Sequence, residues 1–325
     1  MVERTGPMRI RRRSMLAAAA LCLPGVQGLA QAGRPVRIIV PFGPGGFSDL
    51  LGRFMAEALA APLGAPVVVE NRPGAGGNIA AELVARSEPD GTTLLLAGQA
   101  ITSINPFLYP KLAFDPVRDF ASVAFLAAAP NILMGGPGTP GGSLAGLITA
   151  AKAKPEEIAY GSVGVGSVTH LAAAMLESAA GIRMTHVPYR GAGPAQADLR
   201  AGRIAMMFEN AGSALAAVKG GGVVALGVSS ATRMAELPDV PAIGELFPGF
   251  EADGWYALLA PAATPAPVLA KLRQAVAGVV ASTAYEKFLV ERGARPMQVR
   301  DDAAFLAADQ ARWGDAVRRS GARAE

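Results

Sequence analysis

The sequence predicts an α/β protein of two lobes, with mainly parallel sheets flanked by helices and a ligand cleft between the lobes. Three observations lead there. Short β-branched runs alternate with Ala/Leu-rich stretches of helical length along most of the chain. The length exceeds what one hydrophobic core usually holds. A cluster of prolines and glycines punctuates the chain from Pro130 to Gly142.

Taken in order, Val36-Arg37-Ile38-Ile39-Val40 reads as a strand, residues 49–61 as a helix and Val67-Val68-Val69 as a strand. Residues 79–86 read as a helix and 92–97 as a strand. After Pro155 the pattern resumes with strands at 158–161, 184–187, 204–208 and 223–228. Helices at 168–180, 194–201 and 213–219 separate them. Connections this brief imply right-handed crossovers. The last third changes texture: Val268, Leu269, Leu272, Val276 and Val280 recur at helical spacing, as do Leu306, Trp313 and Val317. These are expected to be helices packed on a completed lobe. Residues 131–230 are read as one lobe inserted into another made of 33–130 and 231–325, so that two chain crossings form a hinge.

The first 32 residues read as a leader. Arg9, Arg11, Arg12 and Arg13 precede an apolar run from Met15 to Leu23, and small residues end in Ala30-Gln31-Ala32. This is the pattern of a secretory signal peptide, with an apolar run too short to span a membrane. The paired arginines give it some twin-arginine character, and a periplasmic location is expected. Cleavage after Ala32 would leave 293 of the 325 residues. The leader carries Arg4 and the four arginines above against Glu3, a net of +4 that equals the formal charge of the whole chain. The remainder is therefore close to neutral. It offers no basic stripe for nucleic acid or anionic lipid. Cys22, the single cysteine, leaves with the leader, taking any disulfide or thiol chemistry with it.

Three glycine-bearing turns between a strand and a helix are the candidates for chemistry. The first is Pro41-Phe42-Gly43-Pro44-Gly45-Gly46-Phe47-Ser48-Asp49, with Ser48 expected as a helix cap. The second is Gly161-Ser162-Val163-Gly164-Val165-Gly166-Ser167. The third is Pro188-Tyr189-Arg190-Gly191-Ala192-Gly193-Pro194. Ligands of open parallel sheets sit just beyond the carboxyl ends of the strands, where free N–H groups at helix starts favour an anion. Arg190 is the only cation in these loops.

Other chemistries fit poorly. The loops lack both G-x-G-x-x-G spacing and a G-x-x-x-x-G-K-[ST] run, so no nucleotide cofactor is expected. No G-x-S-x-G elbow occurs. His170 and His186, the only histidines, are not spaced as metal ligands. Asp49, Asp198 and Glu209 could be read as an acid/base set, but helix-end and solvated roles are commoner for lone carboxylates. The chain is expected to be neither an enzyme nor a metalloprotein.

Several separated runs resemble one family. Arg37-Ile38-Ile39-Val40-Pro41-Phe42 leading to Gly45-Gly46 and Asp49 is similar to the opening of the tripartite tricarboxylate transporter substrate-binding proteins, the Bug receptors. Val67-Val68-Val69-Glu70-Asn71-Arg72-Pro73-Gly74-Ala75-Gly76-Gly77-Asn78 resembles that family's most diagnostic run, and Pro89-Asp90-Gly91-Thr92-Thr93-Leu94 follows it. Later come His186-Val187-Pro188-Tyr189-Arg190-Gly191, Asp239-Val240-Pro241 and Gly254-Trp255-Tyr256. The resemblance covers residues 34–298 and implies a type II periplasmic binding protein fold that closes over a small carboxylate. It implies Phe42, Gly45, Gly46, Phe47 and Ser48 as one wall of the site. Ser162, Gly164, Gly166 and Ser167 would form the second, with Gly191 and Ala192 from the third loop. Gln99, His170 and Glu209 are further candidates. Glu209 stands where family members often carry Asp, and Gln99 near a Ser or Thr. Asp49 is expected to order the first loop rather than meet the ligand. The implied partners are membrane permease subunits or, alternatively, a sensor kinase, with the receptor itself a monomer. Charge-assisted N–H bonds of roughly 1.5–3 kcal/mol each would let three or four of them offset the desolvation of one carboxylate.

Overall fold

In the computed structural model, which describes residues 1–2 and 34–324, the strands pair into two mixed sheets. Apart from residues 1–2, the expected leader falls outside the described residues. The chain runs β1 (Val36–Val40), α1 (Phe47–Leu63), β2 (Val67–Asn71), α2 (Asn78–Ala85) and β3 (Thr93–Gly98). Then come α3 (Asn105–Leu108), β4 (Phe120–Ala129), β5 (Asn131–Gly135), α4 (Leu144–Ala153) and β6 (Ala159–Ser162). These are followed by α5 (Val168–Ala180), β7 (Thr185–Pro188), α6 (Ala192–Arg200), β8 (Met206–Asn210), α7 (Ala211–Lys219) and β9 (Val224–Val228). The last elements are β10 (Gly254–Pro261), α8 (Ala266–Val280), α9 (Thr283–Val290), β11 (Arg295–Pro296) and α10 (Asp302–Ser320).

One sheet has the order β11-β4-β10-β3-β1-β2, the other β7-β6-β8-β5-β9. Parallel pairing joins β1 to β2 and β3, and β6 to β7 and β8. The expected parallel character stops there. β10 runs antiparallel to β3 and β4, and β5 antiparallel to β8 and β9. The reason is the route of the chain. β4 ends at Ala129 and, after the single residue Pro130, β5 begins in the other sheet, so β5 starts where the strands beside it end. β10 likewise enters its sheet from the side of the second sheet. A strand that starts at the meeting of two sheets must oppose neighbours that finish there.

These through-passing strands escaped the sequence pattern. Phe120–Ala129 is rich in alanine, a helix former, yet it is held extended between β10 and β11. β5 lies inside the Pro/Gly-rich stretch that reads as a loop. Where β3 meets β10, a side chain at Gly98 would place its Cβ 2.4 Å from the Trp255 carbonyl oxygen.

The first sheet buries one face under α1, α8 and α9 through Ile38, Leu51, Met55, Leu59, Leu94, Leu272 and Tyr285. Its other face packs Ile39, Leu95, Trp255 and Ala257 against Val84 of α2. In the second sheet Phe208 and Tyr160 pack with Leu171 and Leu176 of α5. Ile132 and Met207 pack with Leu199 of α6 and Ala214 of α7 on the opposite face. Helix α10 contributes to both cores. Phe305 and Leu306 sit against the first sheet's outer face, while Trp313, Ala316 and Val317 join the core around α5.

Asp309 anchors that helix. Fully buried, it accepts from Trp255 Nε1 at 2.8 Å and from Arg312 at 2.5 Å. Asp309→Ala strands the indole N–H and leaves the Arg312 guanidinium only a 3.6 Å ion pair with Glu251, so a loss of about 3 kcal/mol is expected. Asp309→Asn keeps an acceptor for Trp255 and should lose clearly less. Urea unfolding followed by tryptophan fluorescence checks this order, and an Asp309→Ala protein as stable as the parent would refute it.

Candidate ligand-binding site

Where the ends of the two sheets meet, a cavity of about 460 Å³ opens. The first sheet and its connections supply Phe42, Gly76, Gln99, Ala100, Asn105, Leu108, Tyr109, Gly254 and Tyr256. Asn131, residues 163–169, Glu209 and Asn210 come from the second. None of these is Arg, Lys or His. Glu209 is the one charged residue among them.

The second loop is held from within by its own side chains. Ser162 is fully buried, and its Oγ takes the Gly164 N–H at 3.2 Å and donates to the Gly164 carbonyl at 3.1 Å. His186 Nε2 lies 2.7 Å from the same oxygen and, with that hydroxyl proton committed, acts as the donor. Thr169 Oγ1 accepts from Val163 N, and His170 Nδ1 accepts from Gly166 N at 3.1 Å. Ser167 caps α5 by accepting from His170 N. Gly164 and Gly166 have φ of 140° and 73°, which only glycine adopts without strain. A Cβ at Gly166 would also lie 2.5 Å from Leu108 Cδ2. After this internal pairing, the N–H groups of Val165, Val168 and Thr169 have no partner among the described residues. All three residues line the cavity. Among the described residues the cavity thus has unpaired amide donors at the start of a thirteen-residue helix and no cation.

His170, His186 and Tyr160 lie beneath this loop as a stack. The two imidazoles are 3.8 Å apart at 8°, and Tyr160 lies 5.0 Å from His186. Burial, with a smaller contribution from the neighbouring His186, pushes His170 down to about 4. Burial lowers His186 as well. Both rings are therefore neutral near pH 7, as the bond that His170 Nδ1 accepts requires. His170 does not line the cavity. It faces a larger hollow of about 710 Å³ on the other side of the loop, with Glu177, Arg183 and Arg319. That hollow touches only one sheet's elements and the end of α10, whereas the smaller cavity joins the strand ends of both sheets.

The first loop differs from expectation in its cap. Gly46 precedes α1 with no side-chain cap, and Ser48 lies buried in the first turn. An oxygen at Ser48 is two residues too late to cap a helix that begins at Phe47. Asp49 instead does the ordering. Buried, it accepts from Gly45 N at 3.0 Å, Arg53 Nε at 3.0 Å and Asn71 Nδ2 at 2.9 Å. The Arg53 hydrogen bond is the main cause that holds its carboxyl down at about 2. Asn71 also donates to the Phe42 carbonyl, which fixes the one residue of this loop that lines the cavity. Phe47 reaches the cavity wall indirectly, its ring 4.9 Å from that of Tyr256. Gly45, Gly46 and Ser48 are outside the lining, as are Ser162, Gly191 and Ala192.

Gln99 and Glu209 are both cavity residues. Gln99 Oε1 accepts from Trp255 N at 2.9 Å, tying the end of β3 to the start of β10. It leads into a π-helix, Ala100–Ile104, a form often found at functional sites. Asn105, Tyr109 and Asn131 went unmarked in the sequence because only tertiary structure brings them here. Gly76 carried a signal, since it lies in the diagnostic glycine run. Its φ is 64°, and a Cβ there would crowd Tyr109 and Asn105 at 3.1–3.3 Å.

The chain matches the model of the tripartite tricarboxylate transporter family receptor over residues 51–322. It is 34% identical to the protein BugT of Bordetella pertussis across 95% of both chains. It is 36% identical to a UPF0065 protein from the tcbD-tcbE intergenic region of Pseudomonas sp., covering 84% of this chain and 83% of that one. Among solved structures, Rpa4515 of R. palustris with adipate superposes with a TM-score of 0.78 at 33% identity, covering 88% of this chain and 97% of the other. MatC of Rhodopseudomonas palustris with bound malate does so with 0.73 at 32% identity, covering 87% and 98%. The fold, two helix-flanked sheets, is that of these periplasmic binding proteins. With a family match over most of its length and relatives above 30% identity along nearly all of it, the chain belongs to the tripartite tricarboxylate transporter receptor family, the Bug receptors.

Proposed function

We propose that this protein captures a small organic carboxylate in the 460 Å³ cavity and delivers it to a membrane permease, without converting it. The observation that carries this reading is the set of unpaired N–H groups on Val165, Val168 and Thr169 in a cavity without a basic side chain. Such donors suit an anion whose two oxygens each accept bonds. The bound adipate and malate of the two solved relatives are acids of this class. Their size suits a cavity of this volume.

The two sheets would be the centres of two lobes, residues 33–130 with 231–325 and residues 131–230. Chain passages at Pro130 and between Ser229 and Asp253 would be the hinge. At the hinge Ser229 Oγ accepts from Asn131 N and donates to Asp253 Oδ1, bonds that tie the two passages together. Among the described residues no helix is long and apolar enough to cross a membrane. A leader-directed passage to the periplasm and release as a monomer fit a receptor that must diffuse to its permease. The wall expected of Gly45, Gly46, Phe47 and Ser48, and the part of Gly191 and Ala192, would then be completed when the lobes close.

Isothermal titration of the mature chain, refolded to strip any carried ligand, tests the reading against mono-, di- and tricarboxylates. At least one acid should bind with micromolar or tighter affinity, and Gly166→Ala should abolish it. Absence of binding by every acid would refute the carboxylate reading. The loop carries its own pH dependence. His170 has a folded pKa below its unfolded value, so protons favour the unfolded chain and stability falls as pH drops below about 6.5. Between pH 7.5 and 5 this one group should remove about 2 kcal/mol, in the same direction as His186. Glu177, raised chiefly by burial, works in the opposite direction. Chemical unfolding at the two pH values should therefore show a clearly smaller pH effect in His170→Asn than in the parent. Equal effects would mean that the ring is not held neutral.

A further inference from the structure

Glu209 is at odds with a cavity built for anions. It is the penultimate residue of β8, opposite Ile132 of β5, is 6% exposed, and lines the cavity. Its Oε1 accepts from Asn210 N at 3.0 Å, whereas Oε2 is buried without a partner. Burial raises the pKa of Glu209, offset in part by the Asn210 N–H and by the side-chain amide of Gln196, which also donates to Ser213 at 3.1 Å. Among the described residues no Arg or Lys lines the cavity to neutralise it. A buried carboxylate oxygen left without a donor is destabilising, and such orphans are rare unless a ligand completes them. A second carboxylate brought into the same cavity repels it unless the ligand supplies a compensating group.

We propose that Glu209 is the specificity-determining residue of this site and selects carboxylic acids that also carry a hydrogen-bond donor, a hydroxyl or an ammonium group, for its free Oε2. This rests on the carboxylate reading above and adds a second recognition point to it. The amides of Val165, Val168 and Thr169 hold the acid group, while Glu209 accepts from the donor at the other end of the ligand. An acid lacking that donor leaves Oε2 unsatisfied and faces its charge. Discrimination against an analogue that lacks a needed donor is the strong kind, because a buried polar group is then left unpaired.

The test is a set of matched probes titrated against the mature protein, Glu209→Gln and Glu209→Ala. Succinate, malate and aspartate form one series, and adipate with 2-aminoadipate the other. The parent should favour at least one donor-bearing member over its donor-free partner by about tenfold or more. Glu209→Gln, which replaces an acceptor-only group with an amide and removes the charge, should erase that preference and strengthen binding of the donor-free acid. Glu209→Ala should erase the preference without adding a donor. The hydroxyl and ammonium arms tell which donor is read. Binding retained in both variants with an unchanged preference would overturn the role of Glu209. Binding of no acid by the parent would instead overturn the carboxylate reading, and this inference with it.

Discussion

The structure of the cavity depends on how one loop spends its backbone N–H groups. Between Ser162 and His170, side chains of the loop and the first turn of α5 satisfy Val163, Gly164 and Gly166, so Val165, Val168 and Thr169 are left with donors to offer. That division requires left-handed backbone at Gly164 and Gly166, a buried hydroxyl at Ser162 and a neutral imidazole at His170. The stack of Tyr160, His186 and His170 beneath the loop supplies the last two conditions at once. His186 fixes Ser162, and the dry surroundings keep His170 unprotonated. A cation could attract an acid with less apparatus, but fixed amide dipoles do so without a mobile charge that must itself be desolvated.

Chain routing brings the other walls to the same place. Because β4 passes into β5 at Pro130 and the chain returns as β10, parallel strands end, and antiparallel strands begin, at one junction. Gln99 at the end of β3, Asn131 at the start of β5, Glu209 at the end of β8 and Gly254 at the start of β10 thereby meet around one volume. The cost is a junction crowded with polar groups. Its own bonds answer most of them: Gln99 with Trp255, Asn131 with Ser229 and Ala252, Ser229 with Asp253. Helix α10 then ties the two sheets together through Asp309, Gln310 and Trp313.

Much of this was legible in the residues. Alternation of short apolar runs and helical stretches placed most strands and helices to within a residue or two. Glycines in strand-to-helix turns pointed to Gly164, Gly166 and Ser167, and the resemblance to Phe42, Gln99 and Glu209, all of which line the cavity. What the residues could not announce were donors that belong to the backbone. Val165 and Val168 carry apolar side chains, so nothing in their identity marks an N–H group with no internal partner. Nor could periodicity find β4, whose alanines favour a helix until neighbouring strands hold them extended, or the antiparallel sense of β5 and β10, which follows from routing. His186 reads as structural and His170 as a further candidate for the ligand; both hold the loop, and neither lines the cavity. Gly45, Gly46, Ser48, Gly191 and Ala192 rest on the family resemblance alone.

A crystal structure of the protein with the acid it retains, or with the tightest acid found by titration, tests the central claim most directly. The carboxylate oxygens are expected within about 3 Å of the N–H groups of Val165, Val168 or Thr169, with no guanidinium or ammonium group in contact. An acid held instead by Arg183 or Arg319 in the larger hollow, or by any basic side chain in the cleft, would contradict it.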